Sequence, residues 1–303
     1  TGQGGEVTTG NCTLIVCQKP ASNNTVTFGA DCVLSQIHSA PVSISAGGLY
    51  PSISTTTTKV AVSNQISSGY VLVVCDLNST TDAIAGTLDT STCRRSADPA
   101  LATEQANQAS LYFDGTKAVL AGYANAGTRG LYATTCQFLG GDNTPTCGTY
   151  TLLDSTSGPN NSMNAGAMPF VIDDGNRFFV AYQYGNVNQS DGLRLATCAY
   201  SGQSITTPCT LTTVSTHATD GYGFTPSGFI SNTSSGKRLW IVHSRADSLG
   251  SAGNNQYKTG NTLRLTSCSI SGAPSCPATP TDPSDEYFRQ TASASSIGYY
   301  NRD

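Results

Sequence analysis

One phrase recurs five times along the chain: an apolar run ending in a cysteine, a polar turn-rich stretch, and a second cysteine. The first cysteines are Cys17 (CTLIVC), Cys75 (YVLVVC), Cys136 (LYATTC), Cys198 (LRLATC) and Cys268 (LRLTSC), separated by 58, 61, 62 and 70 residues. Their followers are Cys32, Cys93, Cys147, Cys209 and Cys276. Self-similarity at such a period marks an array of supersecondary units, each needing its neighbours to bury its apolar faces.

Ahead of each later phrase lie two more apolar segments joined by a turn. They read SLYF-DGT-KAVLAGY (110–123), PFVI-DDGN-RFFVAYQ (169–183) and GFI-SNTSSG-KRLWIVH (228–243). Asp-Gly and Gly-Lys turns between β-branched and aromatic runs are hairpin signals. Each unit of about 60 residues therefore reads as four antiparallel strands, a to d, with the cysteine loop between c and d. With only three Glu and five Lys among 303 residues, long amphipathic surface helices are not expected. The expected fold is all-β: a β-propeller, because four-stranded units repeated around an axis are blades. A two-sheet sandwich competes, but sandwiches rarely show five in-phase copies.

Within each unit the cysteines are expected to pair, one disulfide stapling the outer c–d hairpin. Facing residues of an antiparallel pair lie within disulfide reach. The units fall at about 36–93, 94–147, 148–209, 210–276, and 277–303 plus 1–35, in one domain spanning 1–303. The chain opens on a c–d pair and ends on SASSIGYYNRD (293–303), which aligns with strand a. Five blades are expected, with N- and C-terminal strands sharing one blade and closing the ring; a sixth blade requires sequence beyond Asp303. Cys12 is the odd cysteine among eleven and has no assigned partner.

The segment GGLYPSI…KVAV…GYVLVVC (47–75) and its copies resemble repeats of bacterial secreted or surface β-propellers of the broad sialidase-like type. In that group a YPS segment opens strand a and an LRYA-like segment forms strand c. The resemblance implies a propeller outside the cytoplasm, used for binding or adhesion. The sialidase aspartate box is absent from this chain, whose only tryptophan is Trp240. Paired cysteines independently point to an oxidising compartment, so an extracellular, periplasmic or cell-surface location is expected. A formal charge of −4 without a basic stripe argues against nucleic acid, and no apolar run approaches the 18 residues of a membrane helix. Further domains or an anchor outside the chain are compatible with this reading.

In a propeller the b→c and d→a connections share the mouth of the central channel, while a→b turns and c→d loops share the other face. The b→c stretches lengthen along the chain, from NQISSG (64–69) through YANAGTRG (123–130) and YQYGNVNQSDG (182–192) to HSRADSLGSAGNNQYKTGN (243–261). Tyr, Asn and Gln stack on sugar rings and bond hydroxyls without bringing a charge. Candidate ligand-binding residues are Tyr182, Gln183, Tyr184, Asn186, His243 and Arg245, with Tyr50, Gln108 and Tyr222 from the d→a side. The expected partner is a glycan or a protein, bound without catalysis. Turn and loop roles explain the same residues without any ligand.

A glycoside hydrolase is the alternative, and it needs an acid and a base flanking the scissile bond. The only plausible set is Asp220 and Asp247 with Glu104 or Glu286. Asp114, Asp173 and Asp174 fall at a→b turns, on the face away from the mouth, where hairpin chemistry accounts for them. Arg194 and Arg264 occupy equivalent strand-c positions, which suggests covering a blade face rather than binding an anion. A third reading makes the chain a spacer in a larger adhesin. No cofactor or metal is expected: CxxC spacing is missing, the three His are isolated, and the Asp173–Asn176 turn lacks the glutamate of a calcium loop.

Overall fold

The computed structural model describes residues 13–17, 32–36, 49–66, 69–77, 88–97, 106–124, 130–138, 142–155, 167–186, 189–215, 221–246 and 261–276. All of the regular structure in them is β. Strands β1 (Thr13–Cys17) and β2 (Cys32–Gln36) pair antiparallel with Cys17 opposite Cys32. The next sheet runs in order through β3 (Leu49–Thr55), β4 (Lys59–Ile66), β5 (Gly69–Leu77) and β6 (Leu88–Arg95). It is followed by β7 (Ala106–Phe113), β8 (Lys117–Ala124), β9 (Gly130–Phe138), β10 (Pro145–Cys147) and β11 (Thr151–Asp154), with β10 and β11 both on β9.

A further sheet comprises β12 (Ala167–Asp173), β13 (Arg177–Asn186), β14 (Gln189–Ser201), β15 (Ser204–Ile205) and β16 (Thr210–Ser215), with β15 and β16 both on β14. The last is β17 (Gly221–Thr233), β18 (Gly236–Ala246) and β19 (Asn261–Ser269). Each sheet is thus an up-and-down meander in chain order, as the repeat requires.

The a→b turns explain why the chain reverses where it does. Asp114 Oδ1 accepts from the amides of Thr116 and Lys117, both at 2.9 Å. Asp174 Oδ1 does the same for Asn176 and Arg177, at 3.0 and 3.1 Å. Thr56 Oγ1 takes the Lys59 amide at 3.0 Å. Short polar side chains that bond their own backbone two or three residues on are turn formers. Gly175, at φ +102°, occupies a conformation open to glycine without steric cost. The aspartates at 114, 173 and 174 are used by hairpins, as the sequence indicates.

Among the described residues, disulfides join Cys75–Cys93, Cys136–Cys147, Cys198–Cys209 and Cys268–Cys276. All four pairings are those read from the repeat. Strand d differs from the expectation of one continuous strand. In two sheets it breaks into a short piece beside the staple and a longer one further on. In the second of these sheets Pro208 precedes β16, and a residue without an N–H cannot donate to the ladder.

Contacts divide the chain into two compact units, residues 1–120, 133–151 and 201–205, and residues 121–132, 152–200 and 206–303. In the first, β7 packs on β3 and β4, and the Leu111 amide reaches Ser52 Oγ at 3.1 Å. There Lys59 donates to Asp76 at 2.9 Å and also to the Asn143 side-chain oxygen. In the second unit β17 packs on β12 and β13. Phe179, Ala181, Leu193 and Leu195 there share a core with Leu239, Ile241, Cys268 and Ile270 of the following sheet. A core made by two successive sheets is what units unable to bury both faces alone must build.

Candidate functional site

The connection read at 182–192 is much shorter in the structure, and the one read at 243–261 starts later. Strand β13 continues to Asn186 and β14 resumes at Gln189, while β18 runs on to Ala246. Tyr182, Gln183, Tyr184 and His243 therefore sit inside strands. The side chains of Tyr182 (0%) and His243 (0%) are fully buried, Gln183 is buried and Tyr184 is half-buried. The loop placement is corrected for a physical reason: the backbone ladder between β13 and β14 continues past the point where the composition turns polar. A register shift between Tyr184 and Gly185 accommodates the turn.

Register places Tyr182 opposite Arg194 and His243 opposite Arg264, so the arginine equivalence seen in the sequence is a true structural one. The role of Arg194 differs from the expected cover of a blade face. Its Nη1 lies 3.1 Å from Oδ2 of Asp154, the last residue of β11. The same oxygen accepts the Tyr182 hydroxyl at 2.5 Å. The guanidinium also stacks over the Tyr184 ring, 3.2 Å from its centroid. The Asp154 side chain is 1% exposed, and charges this buried are retained in proteins only when paired and hydrogen-bonded.

Burial first, and then the Asp154 charge and hydrogen bond, push the Tyr182 phenol well above its ordinary range; Arg194 pulls it part of the way back. The phenol therefore stays protonated and donates. Asp154, accepting from two donors, holds Arg194 over Tyr184. Gly130, at φ +154°, opens β9 beside it, and a Cβ there would run into the Asp154 carbonyl oxygen. The close approach of β9 to β11 thus needs glycine.

Asp154 went unread in the sequence, where it appears as the end of TLLD (151–154). The available signal was a lone acid closing an apolar strand directly before a d→a connection. The cluster lies at the strand ends where b→c and d→a connections begin. Tyr222 and Arg245 are register partners across β17 and β18, and Tyr50, Gln108 and Asn186 lie on β3, β7 and β13. The side chains of these five are outside the described residues, as are Asp220, Asp247, Glu104 and Glu286 altogether.

His243 shares a hydrogen bond of 3.2 Å between Nε2 and Thr266 Oγ1, a core contact. At the opposite strand ends a cleft of about 730 Å³ is bordered by Asp174, Arg177, Lys237 and Ser271. Its cations are engaged with the protein itself: Arg177 donates to the carbonyls of Gly272 and Ile270 and pairs with Asp174, and Lys237 donates to the Asp174 carbonyl at 3.3 Å. That cleft is a seam between successive sheets. No group of three or more potential metal ligands occurs among the described residues.

No family model matches the chain. No curated protein matches it either. Among solved structures, the periplasmic gluconolactonase of Pseudomonas aeruginosa is 14% identical, over 87% of this chain and 81% of that one, with a TM-score of 0.43. The α-L-arabinanase of Cellvibrio cellulosa is 11% identical over 77% and 74%, with a TM-score of 0.39. The xyloglucan PUL GH43B of Bacteroides ovatus is 10% identical over 77% of this chain at a TM-score of 0.39, and the chain spans 41% of its length. Likenesses at this level transfer no activity.

Proposed function

We propose that the chain is a disulfide-stapled, five-bladed propeller in one domain that binds a glycan at the end where its b→c and d→a connections meet. The observation that carries this reading is the half-buried Tyr184 ring with Arg194 laid across it and fixed there by Asp154. An aromatic ring beside a guanidinium suits a sugar: the ring face turned away from Arg194 takes an apolar sugar face and the guanidinium donates to hydroxyls. Because Asp154 already accepts from two donors, it serves to position Arg194 and not to transfer a proton. That supports binding without catalysis. The disulfides support an extracellular, periplasmic or cell-surface location.

The test is a glycan array probed with the intact protein, then with Tyr184→Ala and Arg194→Gln. Binding of a glycan by the parent that falls at least tenfold in both variants is expected. Retention of affinity in both removes the assigned site. The hydrolase alternative is read in the same samples by reducing-sugar release from plant and bacterial polysaccharides. Turnover abolished by Asp220→Asn or Asp247→Asn replaces the binding reading with that one.

A further inference from the structure

The second strand of each sheet reports whether both of its faces are covered. In β4 Val60 through Ser63 are all buried, in β8 Ala118 through Ala124, and in β13 Phe178 through Gln183. Continuous burial means a strand sandwiched on both sides. In β18 burial alternates: Leu239, Ile241 and His243 are buried, while Arg238, Trp240 and Val242 are not. Yet KRLWIV is as continuously apolar after its cations as KAVLA or RFFVA. The strand is written for two covered faces, and the described residues cover one.

Register identifies the missing contact. Phe178 lies opposite Cys198 and Leu239 opposite Cys268, so Trp240 is the equivalent of Phe179 and, by the same rule, of Ala61. Phe179 (0%) and Ala61 (0%) are fully buried. Phe179 and its neighbour Ile172 are covered by Leu239, Ile241 and Ile230 of the following sheet. At the equivalent place on the last sheet, Phe229 stacks beside Trp240, ring centroids 6.3 Å apart, and is 54% exposed. An aromatic pair this exposed on a sheet face marks a contact surface.

We infer that the Phe229–Trp240 face is the docking surface for the chain's own segment 293–303, SASSIGYYNRD. The inference is independent of what the opposite strand ends bind. Length and pattern favour this occupant over a foreign one. From the second cysteine of a unit to the next first strand is 13 residues (Cys93 to Ala106), 20 (Cys147 to Ala167) and 12 (Cys209 to Gly221). From Cys276 to Ser293 is 17, within that range. In a strand, Ile297 and Tyr299 share one face, the spacing at which β7 buries Leu111 and Phe113.

Trp240 is the only tryptophan, so its emission reads this face directly. In the full chain it is expected to emit in the blue and resist acrylamide quenching, independent of protein concentration. The full-length variant Ile297→Asp/Tyr299→Asp should shift emission to the red and raise quenching, with an unchanged far-ultraviolet spectrum. A chain ending at Ala292 should bind a synthetic 293–303 peptide saturably, recovering the blue emission, and should ignore a scrambled peptide. Equal quenching in parent and double variant, absence of a saturable response to the peptide, protection that appears only at high protein concentration, or protection only on adding an oligosaccharide would each overturn the assignment.

Discussion

Replacing Asp154 by alanine removes one oxygen that two buried groups share. The Tyr182 hydroxyl loses its acceptor at 2.5 Å and the Arg194 guanidinium its counter-charge at 3.1 Å. Leaving a buried hydroxyl unsatisfied costs about 1–3 kcal/mol. Breaking a buried ion pair from one side costs about 3–5 kcal/mol. Arg194 is 20% exposed, so water recovers part of its hydration and the low end applies. The two costs overlap at one oxygen, which gives an expected loss of about 3–4 kcal/mol for Asp154→Ala. Tyr182→Phe deletes only the donor and should lose about 1.5–3 kcal/mol, the value of a hydrogen bond to a charged group.

Urea unfolding of parent, Asp154→Ala, Tyr182→Phe and the double variant, with slopes compared to confirm a common unfolded state, measures both terms. If the hydroxyl and the carboxylate act as a unit, the double variant loses less than the sum, by about 1 kcal/mol or more. An Asp154→Ala cost under about 0.5 kcal/mol, the range of ordinary surface changes, would refute the reasoning, as would strict additivity.

Gly130→Ala should destabilise by about 1–3 kcal/mol, because its Cβ meets the Asp154 carbonyl and its φ disfavours a side chain; a melt beside Gly175→Ala, where no atom lies within 4 Å of an added Cβ, separates the two effects. For Asp76, burial works against the charged form but is outweighed by hydrogen bonds from Asn143 and Lys59, the Lys59 charge and Thr92, which hold its pKa below the ordinary value. A depressed carboxylate stabilises the fold above its unfolded pKa of about 4 and loses that contribution as pH falls. The stability gap between parent and Asp76→Asn should therefore be small, since Asp76 is 41% exposed, present at pH 6 and gone by about pH 2. Cys198→Ser/Cys209→Ser, which opens a loop closed across 11 residues, should lose about 2–3 kcal/mol by denaturation. Thiol titration of the denatured, unreduced chain should find at most one free thiol among the eleven cysteines.

Strand identity, hairpin turns and disulfide pairing could all be read from the chain because each depends on neighbours close in sequence. Asp114 and Asp174 make turns by bonding their own backbone, and Cys136 faces Cys147 because 11 residues of hairpin bring them together. The extent of pairing was not local. Composition around Tyr182–Gly192 reads as loop, but ladder bonds to Arg194 and Leu193 hold Tyr182 and Gln183 in β13, away from solvent. Nor could Asp154 be singled out, since its partners stand 28 and 40 residues further on and meet it only when successive sheets stack. Sequence period determined the unit and its staple. Packing of one unit on the next decided which polar residues are buried together, because a buried charge persists only where tertiary structure delivers its partner.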